Sequence, residues 1–204
     1  MAMQNNPGNI EATQKYAGQT GEKYGTGKNK DRFAVYDSPL MGLRALFMET
    51  NKKLKDFDGD VEKALLKYLG GGSEGTLEER YKIASKENPN IINYINTGKA
   101  AYEKDGVEGL VRQIIVNENK PVDQGGTREL YLNDSETIKN AQKLSHMDMP
   151  SNVSGETAQK LTIMDLPLGT KYKDAMKVYQ QGEYPRKKGG RVERNPYNYE
   201  PKPI

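Results

Sequence analysis

Apolar residues recur at helical spacing through most of the chain, and each stripe predicts an element. In residues 39–55, Leu43, Leu46, Phe47 and Leu54 fall on one face, which predicts a helix of about four turns. Ser38 and Pro39 start it, because the hydroxyl caps and proline lacks an N–H that the first turn would leave unpaired anyway. Asp60 caps a second helix with the stripe Val61, Ala64, Leu65, Tyr68 and Leu69, which Gly70-Gly71-Gly72 stops. Thr76-Leu77-Glu78-Glu79 has capping-box spacing and opens a third helix with a narrow face of Leu77, Tyr81 and Ala84. Asn88-Pro89 starts a short fourth helix carrying Ile91, Ile92, Tyr94 and Ile95 and ending near Gly98. The clearest stripe is Val107, Leu110, Val111, Ile114 and Ile115, which predicts the central helix of the core.

Residues 119–134 show no such period and read as a loop. Ser135 then caps a helix with Ile138, Ala141 and Leu144 on one side, and short helices are expected near 155–164 and at Tyr172, Ala175, Met176 and Tyr179, up to Gly182. Ahead of the first helix, residues 11–32 are polar and glycine-rich, a loop or at most a short hairpin, and Phe33-Ala34-Val35-Tyr36 is a brief strand leading back towards the chain start. The start itself is a turn built from Asn5, Asn6, Pro7, Gly8 and Asn9, followed by Ile10. Pro7 fixes its own φ, Gly8 is free to enter the left-handed region, and the asparagine amides can satisfy nearby backbone groups.

The pattern predicts a mainly α fold with a short strand or hairpin near the N-terminus and an extended C-terminal arm. It divides into a helical domain at 1–149, a linker with one or two short helices at 150–182, and a basic Tyr/Pro-rich arm at 183–204.

Composition narrows the chemistry. Hydrophobic residues make up 34% and mean hydropathy is −0.90, so the core is modest and some of the chain lies outside it. Cysteine is absent and His146 is the sole histidine, which excludes disulfides, thiolate catalysis and cysteine-ligated zinc. No metal and no cofactor is expected. His146 falls at a predicted helix end, where an imidazole meets free carbonyls. Gly25-Thr26-Gly27-Lys28 lacks the spacing, the Ser/Thr after the lysine and the preceding strand of a phosphate loop. Any acid or base must therefore come from carboxylates, lysines or tyrosines. Glu118 continues the stripe of Val111 and Ile114, where desolvation would raise its pKa and suit it to donate a proton, unless the helix frays by Asn117 and leaves it in water. Glu11, beside the opening turn, and Glu49, on the first helix, are the other catalytic candidates.

The first residues have neither the basic start nor the apolar run of a secretory signal, and no segment reaches membrane-spanning length, so synthesis and maturation in the cytosol are expected. Net charge is +3, but residues 171–204 are basic and the rest of the chain is slightly acidic. In the arm, Tyr184, Arg186, Lys187, Lys188, Arg191, Tyr197 and Tyr199 are spaced by prolines. Proline keeps such a segment extended and tyrosine supplies contact area, so docking on a neighbouring protein fits best; contact with a phosphate backbone fits its charge.

The combination Asn5-Asn6-Pro7-Gly8-Asn9-Ile10, Gly18-Gln19, Phe33-Ala34-Val35-Tyr36-Asp37-Ser38-Pro39 and Gly42-Leu43-Arg44-Ala45-Leu46 resembles a family of bacteriophage virion-associated proteins. Ile114-Ile115-Val116-Asn117-Glu118-Asn119 looks like that family's late helix, which ends in a His-Glu-Asn segment. The resemblance covers about residues 4–120 and departs at Glu11, where a basic residue is common, and at Asn117, where histidine is typical. It implies a small helical, lysozyme-like domain and two functions. One is a virion structural protein held in a capsid, portal or tail assembly by its arm, with other virion proteins as multi-copy partners and the virion, after synthesis in the host cytoplasm, as its location. The other is a muramidase or lytic transglycosylase acting on peptidoglycan during genome entry, which requires a protonated carboxyl beside the scissile oxygen.

Overall fold

Ser38 accepts a hydrogen bond from the Met41 N–H, and with Pro39 behind it the first helix, α1, runs over Pro39–Asp56. It buries an unbroken run from Leu40 to Phe47, together with Thr50 and Leu54. The computed structural model describes residues 5–24, 32–181, 183–185 and 192–194. Within them the fold is mainly α, with helices α2 (Val61–Tyr68), α3 (Leu77–Glu87), α4 (Ile91–Glu118), α5 (Arg128–Leu132), α6 (Ser135–Ser145), α7 (Gly155–Thr162) and α8 (Tyr172–Gln181) following α1. An antiparallel hairpin, β1 (Gln19–Tyr24) and β2 (Arg32–Tyr36), precedes them. α1 packs against β2, α2, α4, α6 and α7, so it, and not the 107–118 stripe, is the hub of the core.

Much of the capping chemistry forms as predicted. Asp60 accepts from the Lys63 N–H at the start of α2, and Thr76 and Glu79 close the capping box of α3. Leu77, expected on the apolar face of α3, is 41% exposed instead. The cap of α6 is Asp134, one residue before the predicted Ser135; its carboxylate accepts from the Thr137 N–H, a stronger bond than a neutral hydroxyl would make.

Gly98 does not end the fourth helix. It lies buried inside α4, where a side chain would run into Leu65 of α2, and so serves a close helix approach. The break comes at Gly106, whose φ of 62° and ψ of −145° lie in a region that only glycine enters readily. α4 is therefore two segments, 91–105 and 107–118, joined at that residue. The loop expected over 119–134 holds a 3-10 turn at Val122–Gln124 and the short α5.

Arg44 is 1% exposed in the middle of the core. Its Nε donates to the Leu144 carbonyl at 3.0 Å and an Nη to the Met147 carbonyl at 2.7 Å, so it closes the C-terminal end of α6. Burial lowers its pKa to about 10, which leaves it charged at neutral pH.

The segment read as a linker, 150–182, carries the two expected helices, and both join the main core. Val153, Ala158, Leu161, Met164 and Ala175 belong to the same buried cluster as α1. The Asp37 carboxylate accepts from the Gly155 N–H at 2.6 Å, tying the start of α7 to the start of α1. Beyond α8, Glu183–Pro185 (β3) pairs antiparallel with Val192–Arg194 (β4), and β3 lies against α8.

Candidate functional site

The opening turn is closed by the Asn9 N–H bonding the Asn6 carbonyl at 3.2 Å. Its left-handed positions are Asn5, at φ 53°, and Asn9, at φ 48°; Gly8 is not among them. Asparagine tolerates that region better than most residues. Gly8 is needed for space, since a Cβ there would meet Leu46 and the Tyr68 hydroxyl. The asparagine amides reach well beyond the turn. Asn6 is 1% exposed: its oxygen accepts from the Ile10 N–H at 2.8 Å, and its nitrogen donates to the Ile10 and Ala34 carbonyls, both at 2.9 Å. Asn5 donates to the Tyr36 carbonyl at 3.0 Å. The turn is thus stitched to β2, as expected of a strand that leads back to it, and it lies flat on α1 because Gly42 has no side chain to strike the Asn5 carbonyl.

The end of α4 meets this turn. Asn9 Nδ2 donates to Glu118 Oε2 at 2.8 Å, and the Tyr94 hydroxyl, from the first segment of α4, donates to Glu118 Oε1 at 2.9 Å. Asn119 Nδ2 donates to the Pro7 carbonyl at 2.6 Å, and the Tyr68 hydroxyl of α2 donates to the Gly8 carbonyl. The helix does not fray at Asn117; it runs to Glu118, and the carboxyl is largely enclosed. Burial raises the Glu118 pKa, only partly opposed by the bonds from Asn9 and Tyr94.

Glu49 has the opposite bias. Burial works to raise its pKa, but the Lys53 ammonium and the Tyr16 hydroxyl, which donates at 2.5 Å, outweigh it and hold the carboxyl below the ordinary glutamate value. The Tyr68 phenol links the two carboxyls electrostatically: burial pushes its pKa well up, and the charges of Glu118 and then Glu49 push it further. The Lys53 ammonium stands 5.4 Å from the Tyr68 ring centre. A small space of about 10 Å³ among Thr50, Lys53, Leu65, Tyr68 and Ile114 is the size of one water, and Thr50 Oγ1 has no hydrogen-bond partner beside it.

Of the three carboxylates singled out in the sequence, Glu118 and Glu49 share this region. Glu11 does not join them; it is exposed and its backbone bridges to Phe33. Asn117, at the position where the resembling family has histidine, accepts from Gln113 at 3.2 Å and has its own amide nitrogen buried without a partner. The sequence reading missed Tyr94, Tyr68, Tyr16 and Lys53. The first two stood on apolar stripes and were read as core, although a buried phenol needs a partner for its hydroxyl, and that was the available signal.

His146 is exposed at the C-cap of α6, where its backbone N–H reaches the Lys143 carbonyl. Among the described residues no group of three or more histidine or acidic side chains is placed to hold a metal ion, and no helix is long and apolar enough to cross a membrane. The side chain of Tyr184, the remaining arm residues Arg186, Lys187, Lys188, Arg191, Tyr197 and Tyr199, and the Gly25–Lys28 stretch lie outside the described residues.

One carboxyl biased towards its neutral form and another held ionised is the usual division of labour in acid–base chemistry, and Glu118 and Glu49 are related only through Tyr68. Here both oxygens of the neutral-biased carboxyl already accept bonds from the protein. Comparison of the chain with protein-family models, with curated proteins and with solved structures returned no match.

Proposed function

We propose that this chain is a structural protein of a bacteriophage particle, a helical lysozyme-like domain docked in several copies among other virion proteins through its C-terminal arm. The resemblance of the opening turn and the α1 start to virion-associated proteins supports the particle. The observation that carries the structural role is the engagement of Glu118: one oxygen takes Asn9 of the turn and the other takes Tyr94. That carboxyl works as a clasp between the chain start and the end of α4, with both of its oxygens committed to the protein. Purified particles are expected to contain the protein in fixed stoichiometry, and deletion of residues 183–204 to lower its incorporation. Absence from particles, or incorporation indifferent to the deletion, overturns the proposal.

The opposite pKa biases of Glu118 and Glu49 favour a second reading, a peptidoglycan-cleaving muramidase or lytic transglycosylase with Glu118 as the acid. A zymogram separates the two. Clearing by the wild type that Glu118→Gln abolishes supports the enzyme; no clearing by folded wild-type protein removes it.

A further inference from the structure

The 3-10 turn, α5 and the start of α6 line a shallow, open groove of about 570 Å³, formed by Val122, Glu129, Leu130, Asn133 and Asp134. Its apolar members are exposed: Val122 is 48% exposed and Leu130 67%. Its two carboxylates are held in place by the fold. Glu129 Oε2 accepts from the Val122 N–H at 2.7 Å, and Asp134 caps α6 through Thr137. The one cation among residues 121–137, Arg128, has its guanidinium turned onto the Val116 and Asn119 carbonyls, whereas the same stretch carries four acids, Asp123, Glu129, Asp134 and Glu136. The groove therefore offers apolar contact with a fixed negative rim.

The complementary chemistry is a basic segment with aromatic and proline residues, and this chain contains one. Residues 183–204 hold six cations, Arg186, Lys187, Lys188, Arg191, Arg194 and Lys202, against three acids, with Tyr184, Tyr197 and Tyr199 among four prolines. We infer that the groove is the acceptor for the C-terminal arm of a second copy of the chain. A second copy fits better than the arm's own molecule. β3, paired with β4, packs on α8 and α8 on α7, whereas the groove is built from the 3-10 turn, α5 and the start of α6, and α7 meets those elements at α6. An acceptor at one place and a donor at another make a head-to-tail contact, which builds rings or chains of copies. The inference deepens the arm-docking reading by naming a partner, yet its test is independent of particles.

The 204-residue chain is studied by sedimentation velocity over a range of concentration and salt. The wild type is expected to self-associate, less so at high salt because the rim and the arm attract by charge. Leu130→Lys, at an exposed position, and the arm variant Arg186→Glu/Lys187→Glu/Lys188→Glu/Arg191→Glu are each expected to weaken association by about tenfold or more, as loss of an interface anchor does. Both should keep the wild-type circular dichroism and melting temperature; Val122→Lys is a second groove variant should Leu130→Lys melt early. Mixing a groove variant with the arm variant should restore a single contact, giving dimers and nothing larger. A wild type that stays monomeric throughout, association unmoved by the groove variants, or a mixture that fails to pair overturns the inference. Loss of particle incorporation with self-association intact would instead count against the arm's role in the virion alone.

Discussion

Replacing Glu118 by alanine and by glutamine asks different questions of the same clasp. Alanine removes both side-chain acceptors, leaving the buried Tyr94 hydroxyl with no partner and Asn9 Nδ2 with only its 3.4 Å bond to the residue 118 carbonyl. Hydrogen bonds to a charged group contribute roughly 1.5–3 kcal/mol each, and relief of the buried charge offsets part of the loss, so a net cost of about 3 kcal/mol is expected. For a chain of this size that corresponds to a drop in melting temperature of about 6–12 °C. Glutamine keeps the contacts: its oxygen accepts from Asn9, and its amide donates to Tyr94, whose hydroxyl can turn to accept. What glutamine removes is the titration. Because the folded-state pKa is raised, the folded protein holds a proton over a pH range in which the unfolded chain has released it. That contribution is fully present below the unfolded pKa and is lost as pH rises through the folded one. Glu118→Gln should therefore gain stability relative to wild type as pH rises through the window, measured by urea denaturation at a series of pH values. Parallel stability curves for wild type and Glu118→Gln would refute the raised pKa, and an Ala variant that melts with the wild type would refute the clasp.

Other sites yield further expectations. Glu49→Gln should show the opposite pH trend, since a depressed carboxyl stabilises above its unfolded pKa and loses that contribution on acidification; the same urea series measures it. Arg44→Met keeps the bulk of the side chain but removes the charge-assisted bonds to the Leu144 and Met147 carbonyls, which retain their backbone partners, and should cost about 1–3 kcal/mol by chemical denaturation. Gly42→Ala drives a methyl into the Asn5 carbonyl and should destabilise by about 1–3 kcal/mol, whereas Gly21→Ala, with open space around it, should change stability by less than about 0.5 kcal/mol. Gly106→Ala should cost about 1–3 kcal/mol from backbone strain alone, because no side chain crowds that position; equal stability of the two proteins by thermal melting would sink that account.

What could be read ahead of the structure was the chemistry that acts over a few residues. The Ser38-Pro39 start, the Asp60 cap and the Thr76 box each involve partners within four positions, so the sequence displays both halves of the bond. Choices settled by distant neighbours were not legible in this way. Gly98 and Gly106 look alike in the chain; Leu65 of α2 decides that one is a packing contact, and the other is left to take the turn. Arg44 sits in the middle of an apolar helix with nothing local to explain it, because the carbonyls it serves lie 100 and 103 positions on.

Glu118 shows where the two kinds of information meet. Its place on the Val111–Ile114 stripe announced its burial, and burial alone implies a raised pKa. The same local pattern could not say whether the carboxyl faced a substrate or a partner, because that depended on Asn9, 109 positions earlier. The opening turn in turn needs Gly8 and Gly42 bare, Asn5 and Asn9 left-handed and Asn6 buried for Asn9 to arrive at the carboxyl. Those residues, which look like turn formers when read alone, are thereby the second half of the site. A substitution in the turn should then be felt at Glu118: Asn9→Ala and Glu118→Ala ought to be strongly non-additive in a double-mutant cycle, with a coupling of about 1–2 kcal/mol, and a coupling near zero would mean that turn and helix end are merely adjacent.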